Sequence, residues 1–479
     1  MFRMLRVGAI VLVSASPALA QWPAASEAMG ARDHPKVMQR YGGEVQNTAL
    51  SAYVADIGAL VVAVSSQPNE AWHFTVLDSP EINAFALPGG YVYVTRGLLA
   101  LANTESELAA VLAHEITHIT AAHVEARQEA QKDALVDGAL SALVTGLFGG
   151  GENRMNNAVR QGVETVFSQI GAYSKEQEFA ADAGGIELLR AAGYHPAAQA
   201  DFLASMAAHA ALKAQMAGQV YNEANAPFFA NHPAPAERQL QALALAGSAG
   251  GRQGAEAYLA AINGMIYGQS QRGGFVRGQS FIHPRLGFYF EAAEGLRIQN
   301  AARQINILGP NRSTLIMSGG QGAADLRAAL QAWAAQIPRR DRQGRDISNV
   351  QRLDINGLQA ATGTLSLRTY GQRRSLRMTV IRFKDGLIRF AGTTQRGDET
   401  AADLQWQTVQ SFSQISPEGA AEYLETYIIS HRVLAGETAA SLAEPTPVRG
   451  FSEQQFRVLN GLGPEEILRV GDLVKLVSN

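Results

Sequence analysis

His114-Glu115-Ile116-Thr117-His118 sets two imidazoles four residues apart, with a carboxylate beside the first. Residues at that spacing share one face of an α-helix, so both rings can reach a single ion. Neutral imidazole is a good zinc donor, and two such ligands leave room for a third protein ligand and a water. Glu115 is then placed to take a proton from that water. The flanking residues predict the helix itself. Thr104-Glu105-Ser106-Glu107 reads as a capping box, with Thr104 as N-cap and Glu107 as its partner. Leu108, Val111, Leu112, Ile116 and Ile119 follow at near-helical spacing and predict an apolar face.

The third ligand must come from elsewhere. In the metzincin pattern it is a histidine ten residues after the first, with a glycine three after the second; here those positions are Val124 and Ala121. His123, nine residues after His114, projects to roughly the opposite side of a continued helix and reads as structural. A carboxylate from a second helix remains. Ser174-Lys175-Glu176-Gln177-Glu178-Phe179-Ala180-Ala181-Asp182 offers two candidates. Glu178 shares a face with Asp182, so Glu178 could bind the ion while Asp182 orients a ligand histidine from behind. Glu176 competes from a different face.

Three segments together resemble the HtpX/Ste24-protease-like zinc metallopeptidases, and within them the periplasmic BepA-like branch. The first is Asn83-Ala84-Phe85-Ala86-Leu87-Pro88-Gly89-Gly90, followed by Tyr91 to Leu99, which looks like the family's strand and turn before the metal helix. The second is His114 to His118. The third is Ser174 to Asp182, similar to the family's Ser-Arg-x-x-Glu-x-x-x-Asp with Lys175 in place of arginine. The resemblance covers roughly residues 30 to 245. It implies Glu178 as third ligand. Asn231-His232-Pro233 with Arg238 extends the likeness and implies that His232 is a gate or fourth ligand, with His232 and Arg238 in the catalytic set. The family's helical repeats after the protease are missing, since no period near thirty-four residues is present.

Composition narrows the setting. A chain of 479 residues predicts about three domains, 47% hydrophobic residues supply ample core, and a net charge of −3 argues against nucleic acid as partner. Met1 to Ala20 reads as a secretory signal: Arg3 and Arg6, an apolar core from Val7 to Val13, then Ala18-Leu19-Ala20. The apolar run is too short to span a bilayer. Without cysteine the chain can be neither a lipoprotein nor disulfide-bonded. An exported, periplasmic protein is expected, associated with membrane or cell wall through peripheral contacts.

Ala134 to Phe148, ending at Gly149-Gly150-Gly151, reads as a helical hairpin over the site, or as a membrane-facing surface. From about 276 to 425 short strands surround one helical stretch, Ala323 to Gln336. Leu376 to Phe383 and Leu387 to Ala391 flank Lys384-Asp385-Gly386 as a hairpin. Arg339, Arg340, Arg342 and Arg345 form a basic run that reads as a solvated loop. The last fifty residues carry a second resemblance, to a LysM-type β-α-α-β module, on His431 to Thr438, Ala440 to Ala443, Phe456 to Leu462 and Val470 to Leu476. It implies binding to peptidoglycan glycan, with a degenerate copy kept for packing as the alternative.

The expected architecture is a signal at 1–20, a mainly helical zincin-type domain with a small β-sheet at 21–272, an α+β domain at 273–425 and the LysM-like module at 426–479. The expected function is that of a zinc endopeptidase, one Zn²⁺ per chain on His114, His118 and Glu178, with Glu115 as base. Asn83, Ala84 and Phe85 would hold extended substrate by strand addition, favouring unfolded or misassembled envelope polypeptides. The rival is a chaperone-like scaffold for envelope assembly with a mostly closed zinc site.

Overall fold

The computed structural model describes residues 22–123, 126, 173–221, 232, 235–301, 304–337, 347–369, 372–446, 450 and 452–479. The expected signal at 1–20, the apolar segment 134–148 and the arginine run at 339–345 lie outside the described residues.

The metal helix forms the centre of the first domain. Helix α1 (Ala24–Arg40) and α2 (Thr48–Val62) precede a three-stranded sheet of β1 (His73–Leu77), β2 (Ala84–Leu87) and β3 (Tyr91–Thr95). The order is β1-β3-β2, with β1 parallel and β2 antiparallel to β3. The β2–β3 turn requires its glycines. Gly89 and Gly90 both adopt positive φ, and a side chain at Gly90 would collide with the Ala71 carbonyl. Helix α3 (Arg96–Leu101) leads directly into α4 (Glu105–Thr120).

Thr104 caps α4 by accepting from the Glu107 amide at 3.0 Å. The reciprocal half of the expected capping box is shifted: Glu107 accepts from the Asn103 amide, one residue earlier than the N-cap. Every residue from Glu105 to Ile119 is buried, so the single apolar face expected for α4 is a helix enclosed on all sides. It packs against α2, α5 (Lys175–Ala191), α6 (Ala198–Met216) and β2. Helices α7 (Pro235–Ala246) and α8 (Ala255–Ile262) complete this layer. Among the described residues, no helix is long and apolar enough to cross a membrane.

The sheet-rich middle region is larger than the short strands expected there. Seven antiparallel strands run in the order β11 (Ser348–Ile355), β12 (Leu358–Thr369), β13 (Gln372–Phe383), β14 (Gly386–Gln395), β10 (Thr314–Gln321), β9 (Gln304–Leu308), β8 (Arg297–Asn300), and β12 and β13 each reach 12 residues. A second sheet is ordered β15 (Ser413–Gln414), β7 (Phe288–Glu291), β6 (Ser280–His283), β5 (Phe275–Arg277). The expected hairpin is present: Phe383 pairs with Gly386 across a turn in which Lys384 takes φ 50°. The expected helix is α9 (Leu326–Ala335), capped by Asp325; it lies against β11, β12 and β13. Helix α10 (Glu399–Gln410) packs against β14 and β7.

The chain ends as β16 (Thr426–Arg432), α12 (Ala439–Ala443), α13 (Glu453–Leu459) and β17 (Leu473–Ser478), the second helix pair following the short α11 (Pro417–Ala421). Strand β16 pairs on one edge with β17 and on the other with β4 (Ile266–Tyr267) of the first domain. Ile428, Leu459 and Val477 share one hydrophobic core with Leu108, Leu112 and Ile116 of the metal helix. The middle region is thus inserted between two strands, β4 and β16, that are hydrogen-bonded to each other.

Burial gives this fold an acid limit. His283 on β6 (Ser280–His283) accepts the Leu286 amide on Nδ1, and burial pushes its pKa down to about 4; burial does the same to His209 on α6. Below pH 6.5 an unfolded chain takes up protons on both rings that the folded chain does not, so stability falls as pH drops from 6.5 towards 4. His283→Gln is expected to lose less stability over that interval than the parent. Urea midpoints at both ends of the range measure it, and identical losses would remove His283 from the acid transition.

Candidate metal centre

Two helices in unusually close contact build the site. A Cβ at Gly184 would stand 2.6 Å from Thr117 Cγ2, and one at Gly185 would stand 3.3 Å from the His114 amide nitrogen. Glycine at both positions lets α5 lie directly against α4. The α5 start is fixed by a Ser174–Gln177 capping box. This docking sets Glu178 against the two histidines.

The donors converge. His114 Nε2 and His118 Nε2 are 3.0 Å apart; Glu178 lies 3.6 Å from the first and 3.4 Å from the second. His232 Nδ1 is 3.0 Å from Glu178 Oε1, and all four residues are buried, with one ligand atom from each within 4.8 Å of the others. A tetrahedral zinc with bonds of about 2.0–2.1 Å spaces its donors by roughly 3.3 Å, so the set fits such an ion. Glu176, the competing carboxylate, is exposed on the outside of α5.

The protonation pattern supports the same use. Burial pushes His118 well below its usual pKa, leaving it neutral. Burial alone would raise Glu178, but His232, His118 and Arg238 together hold it well below the carboxylate range. Two ring nitrogens aimed at each other at 3.0 Å beside a carboxylate form a nest of donors that a cation relieves. Glu115, only 2% exposed, is raised by burial, and its Oε1 stands 3.8 Å from His232 Nε2. Burial would lower His232, but the Glu178 carboxylate beside it raises it instead.

Behind the donors lies a ring of orienting contacts. Asp182 Oδ1 is 3.0 Å from His114 Nδ1, and Asp182 also receives Gln199 Nε2 at 2.7 Å. Arg238 on α7 donates to both Asp182 oxygens, at 2.6 and 2.7 Å, and reaches Glu178 Oε2 at 2.5 Å. Burial tends to raise Asp182, but Arg238 and then His114 hold it down to about 2.

His123 departs from the sequence reading. Helix α4 ends at Thr120 and Ala122 takes φ 53°, so the chain reverses and brings His123 Nδ1 to 3.0 Å from His118 Nδ1. When His118 Nδ1 donates that bond, its Nε2 lone pair faces the site. Tyr173, which the sequence reading passed over, stacks on His118 with centroids 3.6 Å apart and planes at 13°. Its signal was positional: it stands one residue before the Ser174 cap.

Strand β2 is an edge strand, yet its side chains face inward. Ala84 and Phe85 are buried, Phe85 stacks on Tyr93 at 4.9 Å, and Asn83 Nδ2 donates to the Tyr41 hydroxyl. A chain bound along β2 would meet backbone groups rather than these side chains.

Residues 48–245 match the model of peptidase family M48. The beta-barrel assembly-enhancing protease of Yersinia pestis is 30% identical over 168 residues, covering 34% of this chain and 34% of that protein. The mitochondrial metalloendopeptidase OMA1 of Schizosaccharomyces pombe is 38% identical over 92 residues, covering 19% and 27%. The metalloprotease LoiP of Escherichia coli is 26% identical over 192 residues, covering 40% and 69%. The chain spans about a third of the length of the beta-barrel assembly-enhancing proteases it matches. All of the converging donors fall inside the matched segment, and over residues 48–245 this chain is similar to peptidase family M48.

Proposed function

We propose that the protein is a zinc-dependent endopeptidase of the bacterial cell envelope that cleaves unfolded or misassembled envelope polypeptides. The observation that carries this reading is the buried meeting of His114, His118 and Glu178, with Glu115 alongside, in a family M48 domain. A zinc ion held by these residues would acidify a water and polarise the scissile carbonyl.

The chain's own residues supply the rest. Glu115, raised by its burial, takes a proton from the attacking water and delivers it to the leaving nitrogen. Asp182 and His123 fix the rings of His114 and His118, and Arg238 fixes Glu178 and Asp182 from behind. The outer edge of β2 accepts an extended peptide through main-chain hydrogen bonds, which requires an unfolded segment and little side-chain identity.

Purified protein is expected to carry one zinc per chain. Chelation should abolish cleavage of casein, zinc should restore it, and His118→Ala should hold no stoichiometric zinc. Full cleavage by metal-free protein would end the proposal.

Burial of all four donors also favours a second reading, a chaperone-like scaffold for envelope or outer-membrane protein assembly whose site stays mostly shut. Binding of unfolded chains without any cleavage, in parent and variants alike, would select it. For the C-terminal module, Leu434, Ile467 and Val470 stand exposed on its two loops, which the bond from the Gly471 amide to the Val433 carbonyl draws together. This apolar surface supports the proposal that the module holds peptidoglycan glycan.

A further inference from the structure

Lys475, on the last strand, is completely buried. Burying an ammonium is costly unless each N–H finds an acceptor. Here each one does: Nζ donates to the carbonyls of Ala100 at 2.7 Å, Leu101 at 3.2 Å and Ala102 at 2.8 Å. Those are the orphan carbonyls at the end of α3, where a helix presents partial negative charge and lacks intrahelical donors. Three acceptors match the three protons of the charged form.

The counter-charge lies on the metal helix. Glu107, buried in the first turn of α4, accepts the Asn103 amide at 3.0 Å; burial pushes it up to about 7 and pushes Lys475 down to about 7, and the charged forms of the two attract each other. The carbonyls of residues 100–102 are therefore held by a lysine that follows them by at least 373 positions. Lys475 is itself held. Asn460 accepts its amide at 2.6 Å and donates to its carbonyl at 3.1 Å, β17 pairs with β16, and β16 pairs with β4.

We propose that Lys475 is a positioning residue for the metal centre: the C-terminal strand fastens the junction from which the His114–His118 helix starts, and so is a component of the metal domain, not a detachable tether. The placement follows from geometry alone. Helix α4 can present His114 and His118 to Glu178 in one orientation only if its start is fixed, and Lys475 holds the carbonyls of residues 100–102, which lead into that start.

Full-length Lys475→Met keeps an unbranched, apolar side chain in place of the lysine stem and removes all three donors. Two measurements far below the unfolding midpoint separate positioning from bulk stability. Amide hydrogen exchange at residues 98–112 should speed up at least tenfold while exchange in the 280–410 sheets stays at the parent rate. Zinc loss to a chelator should accelerate at least tenfold. A lowered unfolding midpoint with both native-state rates unchanged would overturn the proposal, as would no change at all. Asn460→Ala, which loosens the lysine without deleting it, should move both rates in the same direction by less, and it decides the matter if Lys475→Met does not fold. The zinc arm rests on the metal reading above, whereas the exchange arm does not; a parent that binds no zinc would sink that reading and leave exchange to judge the clamp.

Discussion

Glu115→Gln is expected to keep its zinc and lose peptide hydrolysis by roughly 10³-fold, within the range that a positioned general base contributes. Glutamine preserves the side-chain outline at a position only 2% exposed, so the helix and its two histidines remain in place. What disappears is the ability to take a proton. Burial raises the Glu115 pKa, bringing the group nearer the neutral pH at which a base both stays deprotonated and binds a proton strongly. Metal content and casein cleavage, measured on the same preparation, form the test. Parent-like cleavage would remove Glu115 from the chemistry, and loss of zinc together with activity would make it a structural residue of the site.

His232→Ala is expected to raise basal hydrolysis about tenfold, the gain available if the site is open in about one molecule in ten. His232 touches Glu178 at 3.0 Å and faces Glu115 at 3.8 Å, so it occupies the space a substrate carbonyl and its water would need. The carboxylate of Glu178 raises its pKa against the effect of burial. Removing it empties that space while His114, His118 and Glu178 remain. Self-cleavage and casein hydrolysis should both increase at unchanged zinc content. A fall in rate at unchanged zinc would instead make His232 a stabiliser of the transition state, and the gate would be abandoned.

The parts of the centre that follow helical period were legible in the sequence. His114, His118, Glu178 and Asp182 stand at four-residue spacings, and the helices hold those spacings rigidly, so faces inferred from the chain are the faces that meet. The 384–386 hairpin and the helix at 326–335 were legible for the same reason: each is a local pattern with a local turn or cap. His123 was misjudged because its direction depends on where α4 ends, and a single alanine at φ 53° ends it. Apolar period predicted one buried face on α4, but enclosure from every side needs knowledge of which distant elements surround it. Lys475 gave no signal, since a lysine in a strand reads as exposed until its three carbonyl partners, far away in sequence, are brought to it.

The β4–β16 pairing has a consequence for the order in which the molecule is made. Tyr267 and Thr426 face each other across a ladder, yet the whole middle region is synthesised between them. The core around the metal helix stays open on one side until Ile428, Leu459 and Val477 arrive. A chain still emerging has its histidines long before it has its final strand, and closing so long a loop is entropically slow. Maturation of the centre is thereby made to wait for strand β17.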